Sequence, residues 1–450
     1  MNSRWVLTIS LFLGAMLSGS ASGQPPVDCN GTSCTVAGAI TDNMTFEAGN
    51  TYLLHGQVVV EEPAVLTIEA GTLIHGASDP VGALIISRGA QIRANGTADA
   101  PIVMTSGKPV DERAPADWGG LVINGRAPIN NPGGTSQQGN TGVYGGDRPM
   151  DDSGHLNYVR IEYAGGDSLP GEDYAAFSFQ GVGSRTEVDH VMAYRPFGDC
   201  LEFYGGTVSV KRALCIGGED DSFDWKDGWQ GKAQFVIIMQ DGENPAQGVE
   251  GGNNEDDHDR EPRSRPQIYN LTVIGNYGVR GVLPETDDPL RNNGILLRRG
   301  TGAVIRNFIV TGFARSAVEI NHAATFALAA DERLSFASGI VDHNCAIAAC
   351  RGQFVTDEDD MAAPRTPSSI VAGSPYVTAV NPMLFHPYDE EDPDFTPRPL
   401  SPAVTGRVRP YIPPYDGFFE MAAYIGAVGG PDDVWWQGWT GFARRGQGGR

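Results

Sequence analysis

The chain has 450 residues, among them 59 Gly and 30 Pro, and its 32 Lys+Arg face 55 Asp+Glu for a net charge of -23. A hydrophobic content of 40 % is too high for a disordered chain, and glycine at roughly twice its usual share without a Gly-X-Y period excludes collagen. The negative surface repels phosphates and anionic headgroups, so no nucleic-acid partner and no membrane insertion are expected; cations are attracted instead.

In chain order, Arg4 precedes an apolar run from Trp5 to Leu17, and Ser-Gly-Ser-Ala-Ser-Gly leads to Gln24. One positive charge, a core too short to span a bilayer and small residues near Gly23–Gln24 predict a signal peptide over 1–23. The mature chain is then expected to be secreted: periplasmic, extracellular or at the cell surface. Residues 24–50 read as an N-terminal extension or cap. The six cysteines form three sequence-local pairs, Cys29/Cys34, Cys200/Cys215 and Cys345/Cys350, which predict three local disulfides. The middle pair is the least regular, because its members can fall on different faces of one coil. No Cys-x-x-Cys suggests a structural zinc site.

From about residue 51 short apolar runs alternate with turns: Gln57-Val-Val-Val60, Val65-Leu-Thr-Ile68, Ala83-Leu-Ile-Ile86 and Pro101-Ile-Val-Met104. Runs of three to five apolar residues without a 3.6 period predict strands, and only residues 324–334 suggest a short helix. The chain then repeats. His190–Gly206 aligns with Arg212–Gly228 at an offset of 22 residues, setting Asp199 over Asp221, Leu201 over Phe223, Glu202 over Asp224 and Phe203 over Trp225. Looser copies occur at 176–179, 248–251, 294–297 and 317–320. A coil of this length cannot bury its own apolar face, whereas stacked coils lay Leu on Phe and Phe on Trp. The pattern predicts an all-β solenoid over 51–380, with glycine at the corners. Long insertions interrupt it at 126–153, at the acidic 241–266 and at 357–360 (Asp-Glu-Asp-Asp); Asp389–Asp394 is a further acidic run. Residues 381–450, Pro-rich and carrying Trp435, Trp436 and Trp439, are predicted to wrap or cap the last coil.

Leu66–Ile74, Ala83–Ile92, Asn95–Ser106, Asp117–Ile123, Val159–Gly165, Phe203–Val208, Asp220–Asp224, Gly294–Gly300 and Tyr424–Ala427 with Trp439-Thr440 form an ordered string of motifs. It resembles a family of secreted bacterial right-handed β-helix proteins within the pectate-lyase-like superfold. The resemblance spans nearly all of the mature chain and implies a right-handed parallel β-helix; it supplies no mechanism, since that superfold hosts both enzymes and adhesins.

The sharpest constellation is acidic. Adjacent coils sit about 4.8 Å apart, so Asp199, Glu202, Asp220, Asp221, Asp224, Asp227 and Glu250 are brought together. Ionised carboxylates at that separation repel, and each must bind a proton, a cationic side chain or a metal. Ca²⁺ suits an all-oxygen donor set. A solvated acidic turn is the plainer alternative. For catalysis, Asp221 with Asp224 or Asp199 offers the carboxyl pair of a glycoside hydrolase, whereas a lyase would add a base such as Lys226, Arg298 or Arg299. The Gly-His-Gly and Arg-Ile-Lys segments of polygalacturonases are absent, and Arg298-Arg299 also suits ion pairing with nearby acids. The eight histidines are scattered, and neither His-Glu-x-x-His nor Gly-x-Ser-x-Gly occurs. Phe203 and Trp225 are expected in the core stack, with Tyr204 and Trp229 more exposed. The chain therefore reads as a calcium-stabilised adhesion, matrix or carbohydrate-binding β-helix with polysaccharide or surface components as partners; the alternative is a polysaccharide lyase or glycoside hydrolase acting on the Asp199–Asp227 face.

Overall fold

A computed structural model describes residues 26–131, 133–134, 138–166, 174–240, 246–275, 292–345, 352–356, 365–389 and 392–442. The expected signal peptide, Asp241, Glu243, Cys350, the 357–360 run and residues 390–391 lie outside them.

The chain coils into a right-handed parallel β-helix. One sheet stacks Ala83–Ile86, Gly120–Asn124, Phe177–Gln180, Leu201–Tyr204, Phe223–Lys226, Val249–Gly251, Asn293–Leu297 and Ser316–Ile320 in parallel register. The second and third sheets are joined from residue 154 onward by bent strands: Gly154–Glu162, Glu187–Tyr194, Ser209–Ile216, Lys232–Met239, Gln267–Ile274, Ala303–Thr311 and Leu334–Asp342. Each bend falls on one residue at positive φ: Tyr158, His190, Arg212, Phe235, Asn270, Asn307 and Ser338 all lie between 49° and 60°. A corner therefore needs no glycine here, and the side chains at it point outward as a column. The parallel ladder reaches back to Ser33–Ile40, ahead of residue 51, and forward to Val377–Ala379.

The 22-residue repeat governs the core. Leu201 pairs with Phe223 and Phe203 with Trp225, and every one of these side chains is buried. Phe203 stacks on Phe179 at 5.1 Å and on Trp229 at 4.2 Å between ring centroids. At the next step Gly251 lies under Trp225, where a Cβ would fall 2.2 Å from the indole, so only glycine admits the ring. Trp229 and Tyr204, expected to be more exposed, are 0 % and 4 % accessible. Trp229 turns inward behind its strand, its Nε1 donating to Val208 O at 3.0 Å. Cys200 and Cys215 are bonded within the core, Cys29 is bonded to Cys34, and Cys345 is also disulfide-bonded. The expected helix occupies Ala323–Ala330.

The C-terminal segment lies along the side of several coils rather than over the last one. Beyond about residue 400 it runs along the corner column as a strap. Asn307 Nδ2 donates to Tyr411 O at 2.8 Å, and Asn270 Nδ2 donates to Tyr424 O and Gly426 O, both at 3.1 Å. Arg212 meets Glu420 at 2.6 Å, and Trp439 abuts Tyr158 and His190. Beneath it Met192, Leu214, Ile237 and Ile274 point out of the third sheet and are buried against Trp436 and Trp439. Those strands are apolar on both faces, and the strap is what covers the outer one.

Truncating a fully buried stacked ring leaves a cavity, so Phe203→Ala should lower unfolding stability by ~3–5 kcal/mol in chemical denaturation, while the exposed Glu187→Ala should shift it by no more than about 0.5. Equal midpoints for the two variants would deny the stack its place in the core.

Candidate functional site

The alternation that turns Leu201 and Phe203 inward turns Glu202 and Tyr204 outward. Two outward rows result on the first sheet: Ser178–Glu202–Asp224–Glu250, and beside it Gln180–Tyr204–Lys226. Asp199, Asp220 and Asp221 lie in the turns leading into these strands, and Arg298 follows Leu297 two coils beyond Lys226. Glu202, Asp224, Glu250, Tyr204 and Lys226 of these rows, with Asp199, Asp220, Asp221 and Arg298, line a cleft of about 480 Å³.

Ligand oxygens of Asp199, Glu202 and Asp224 lie within 4.8 Å of one another, as do those of Asp199, Asp220 and Asp221. The coil-by-coil register thus does concentrate the predicted acids. The structure treats them unequally. Lys226 Nζ stands 2.7 Å from Glu202, 3.5 Å from Asp224 and 4.6 Å from the Tyr204 ring centre. Arg298 donates through Nε and Nη2 to Glu250 Oε1 at 2.8 and 2.5 Å, and Arg299 pairs with Glu255 at 2.7 Å. Asp227 stands apart from both acidic groups. Its Oδ2 accepts from Tyr144 at 3.1 Å and Asn131 at 3.2 Å, while its carbonyl accepts from Asn130, so it ties the 126–153 insertion to the coil. Asp199 accepts from the Asp221 amide at 3.0 Å, and Asp221 accepts from the Gln247 amide at 2.7 Å.

Electrostatics follow from crowding. Burial pushes Asp224 up to about 8 against the pull of Lys226 and Arg298, and Glu250 and Glu202 push the same way. Burial also lifts Asp199 well above the usual carboxylate range, reinforced by Glu202 and Asp220; Asp221 rises likewise through burial and Glu250. Burial alone would lower Lys226, yet Glu202, Tyr204 and Asp224 outweigh it and hold the ammonium charged. Arg298 is held charged by Glu250 in the same manner.

The 126–153 insertion supplies a residue that the repeat does not reveal. Gln138 Nε2 donates to Glu202 and, at 3.2 Å, to Tyr204 Oη, and its Oε1 accepts from Ser178 Oγ. This roof is why Tyr204 is buried. Next to Tyr204 in the ladder, Gln180 is 1 % exposed, and among the described residues neither of its amide atoms has a hydrogen-bond partner.

The family described as pectate-lyase like beta helix domain matches residues 38–364, and the chain belongs to it. No curated protein matches the chain. No helix among the described residues is long and apolar enough to cross a membrane.

The buried acids predict an unusual pH profile. Asp199, Asp221 and Asp224 keep protons in the folded state that the unfolded chain releases above about pH 4, so unfolding releases protons and stability falls as pH rises toward about 8. Carboxylates held low by partners, such as Glu420, finish titrating beneath this window. In metal-free buffer the thermal midpoint should decline between about pH 5 and 8, and Asp224→Asn should flatten the decline. A midpoint that climbs over that interval would refute the charge state described.

Proposed function

We propose that this chain is a secreted or cell-surface β-helix protein that binds carbohydrate in the first-sheet cleft, with Ca²⁺ neutralising its acids, and that it acts in adhesion or in an extracellular matrix. The observation that carries this reading is the convergence of Asp199, Glu202, Asp220, Asp221 and Asp224 in a 480 Å³ cleft. Their donors are all oxygen, and Ca²⁺ takes six to eight such ligands in flexible geometry. Because Lys226 already neutralises Glu202, an ion is drawn toward the Asp199–Asp220–Asp221 side. The disulfides accord with an oxidising compartment.

A second reading, hydrolysis of a polysaccharide, draws on one further observation. Asp224 still carries a proton near neutral pH and lies beside Glu202, the arrangement of a general acid with a carboxylate partner. A lyase is less well supported, since Lys226 and Arg298 are held charged and neither is suited to remove a sugar proton.

Calcium at about 100 times its dissociation constant should stabilise the fold by ~2.7 kcal/mol relative to EGTA, seen as a raised thermal midpoint, and Asp221→Asn should abolish the shift. Identical midpoints with calcium and EGTA would overturn the calcium assignment. Incubation with acidic and neutral polysaccharides should release no new reducing ends under the binding reading; release that disappears in Asp224→Asn would establish the hydrolase instead.

A further inference from the structure

Four outward side chains of two neighbouring first-sheet strands form a square at the end of the cleft. Ser178 and Gln180 alternate on one strand, Glu202 and Tyr204 on the next, and the parallel register sets Ser178 beside Glu202 and Gln180 beside Tyr204. Its corners are about 4.8 Å apart between strands and roughly 6.7 Å apart along them. All four side chains are buried.

One carboxamide serves three of the corners. Gln138 Oε1 accepts from Ser178 Oγ, while Gln138 Nε2 donates to Glu202 and, at 3.2 Å, to Tyr204 Oη. A hydroxyl donor thus meets the amide oxygen, and a carboxylate with a phenol oxygen meets the amide nitrogen. The fourth corner is unserved. Gln180 is 1 % exposed, and among the described residues neither of its amide atoms has a partner; in the preceding coil Asn124 Oδ1 is in the same state. Buried amides without partners are costly, so this corner holds donor and acceptor capacity that Gln138 does not use. Gln138 also comes from the insertion and not from the coil. The insertion has other ties, Asn130 and Tyr144 to Asp227, which do not depend on it. Lys226 holds the other carboxylate oxygen of Glu202, so that ion pair survives the departure of Gln138.

We propose that Ser178, Gln180, Glu202 and Tyr204 form a subsite for an acetamido sugar, which Gln138 occupies as an internal stand-in that the ligand displaces. The inference rests on the carbohydrate reading of the cleft and narrows it to glycans that contain an N-acetylhexosamine. The acetamido oxygen takes the Ser178 proton and its N–H goes to Glu202. A hydroxyl on the neighbouring ring carbon both donates and accepts, as the Gln180 amide requires.

The test is ligand-observed NMR titration of the full chain, in calcium-containing buffer, with three matched pairs: N-acetylglucosamine and glucose, N-acetylgalactosamine and galactose, N-acetylmannosamine and mannose. At least one N-acetyl sugar should bind about tenfold or more tightly than its plain counterpart. Gln138→Ala removes the internal competitor and should tighten that sugar about tenfold further, whereas Ser178→Ala should erase the preference. Thermal melts identify folded variants, and if Gln138→Ala does not fold, Ser178→Ala alone decides. Equal binding of N-acetylated and plain sugars, or a preference indifferent to Ser178→Ala, overturns this inference and leaves the carbohydrate reading of the cleft standing. No binding of any of the six sugars overturns both. A Gln138→Ala chain that binds propionamide but no N-acetyl sugar would have a cradle for a peptide carboxamide, which also overturns the glycan assignment.

Discussion

Everything in this molecule depends on the in-register stacking of inward side chains from one coil to the next. Leu201 must lie on Phe223 and Phe203 on Trp225 for the core to close. Strand side chains alternate, so the intervening residues have no choice of place: Glu202 is set over Asp224, and Asp224 over Glu250, about one coil spacing apart. A slip of one residue would send the acids inward and the rings into water, a far larger loss than the repulsion between carboxylates. Core packing thereby enforces an electrostatic conflict on the surface.

The conflict is resolved in three ways along one face. Arg298 holds Glu250, Lys226 holds Glu202, and the acids between them keep protons well above the usual carboxylate range. The first two arrangements are fixed by ion pairs. The third is conditional: under the proposed function those protons are exchanged for a divalent ion. A cleft whose acids stand between two neutralising partners is poised to couple ion binding to proton release, and Gln138 roofs one end of it.

Much of this is legible in the repeat itself. A 22-residue offset with Asp over Asp, Leu over Phe and Phe over Trp carries both the inward stack and the outward acids, so the fold and the Asp199–Glu202–Asp224 convergence followed from one alignment. What an alignment of coils cannot show is what lies across them. The sequence places Tyr204 among the more exposed aromatics; its cover is Gln138, from an insertion that belongs to no repeat. Trp229 lies outside the strand window, and only its inward turn onto Phe203 buries it. The Pro-rich end with its three tryptophans predicts a wrap or cap over the last coil, and it lies instead along the side of several coils. The better clue lay in the strands themselves: Val191-Met192-Ala193 and Val236-Ile237-Ile238-Met239 are apolar at successive positions, which means both faces are buried and something must run along the outside.

The central claim is that register forces acids together which hold protons until a cation displaces them. Titration calorimetry with Ca²⁺ in two buffers of different protonation enthalpy, at about pH 6.5, tests it most directly. The account predicts binding heats that differ between the buffers and correspond to at least one proton released per ion, with the difference lost in Asp224→Asn. Equal heats in both buffers, or no heat at all, would contradict it.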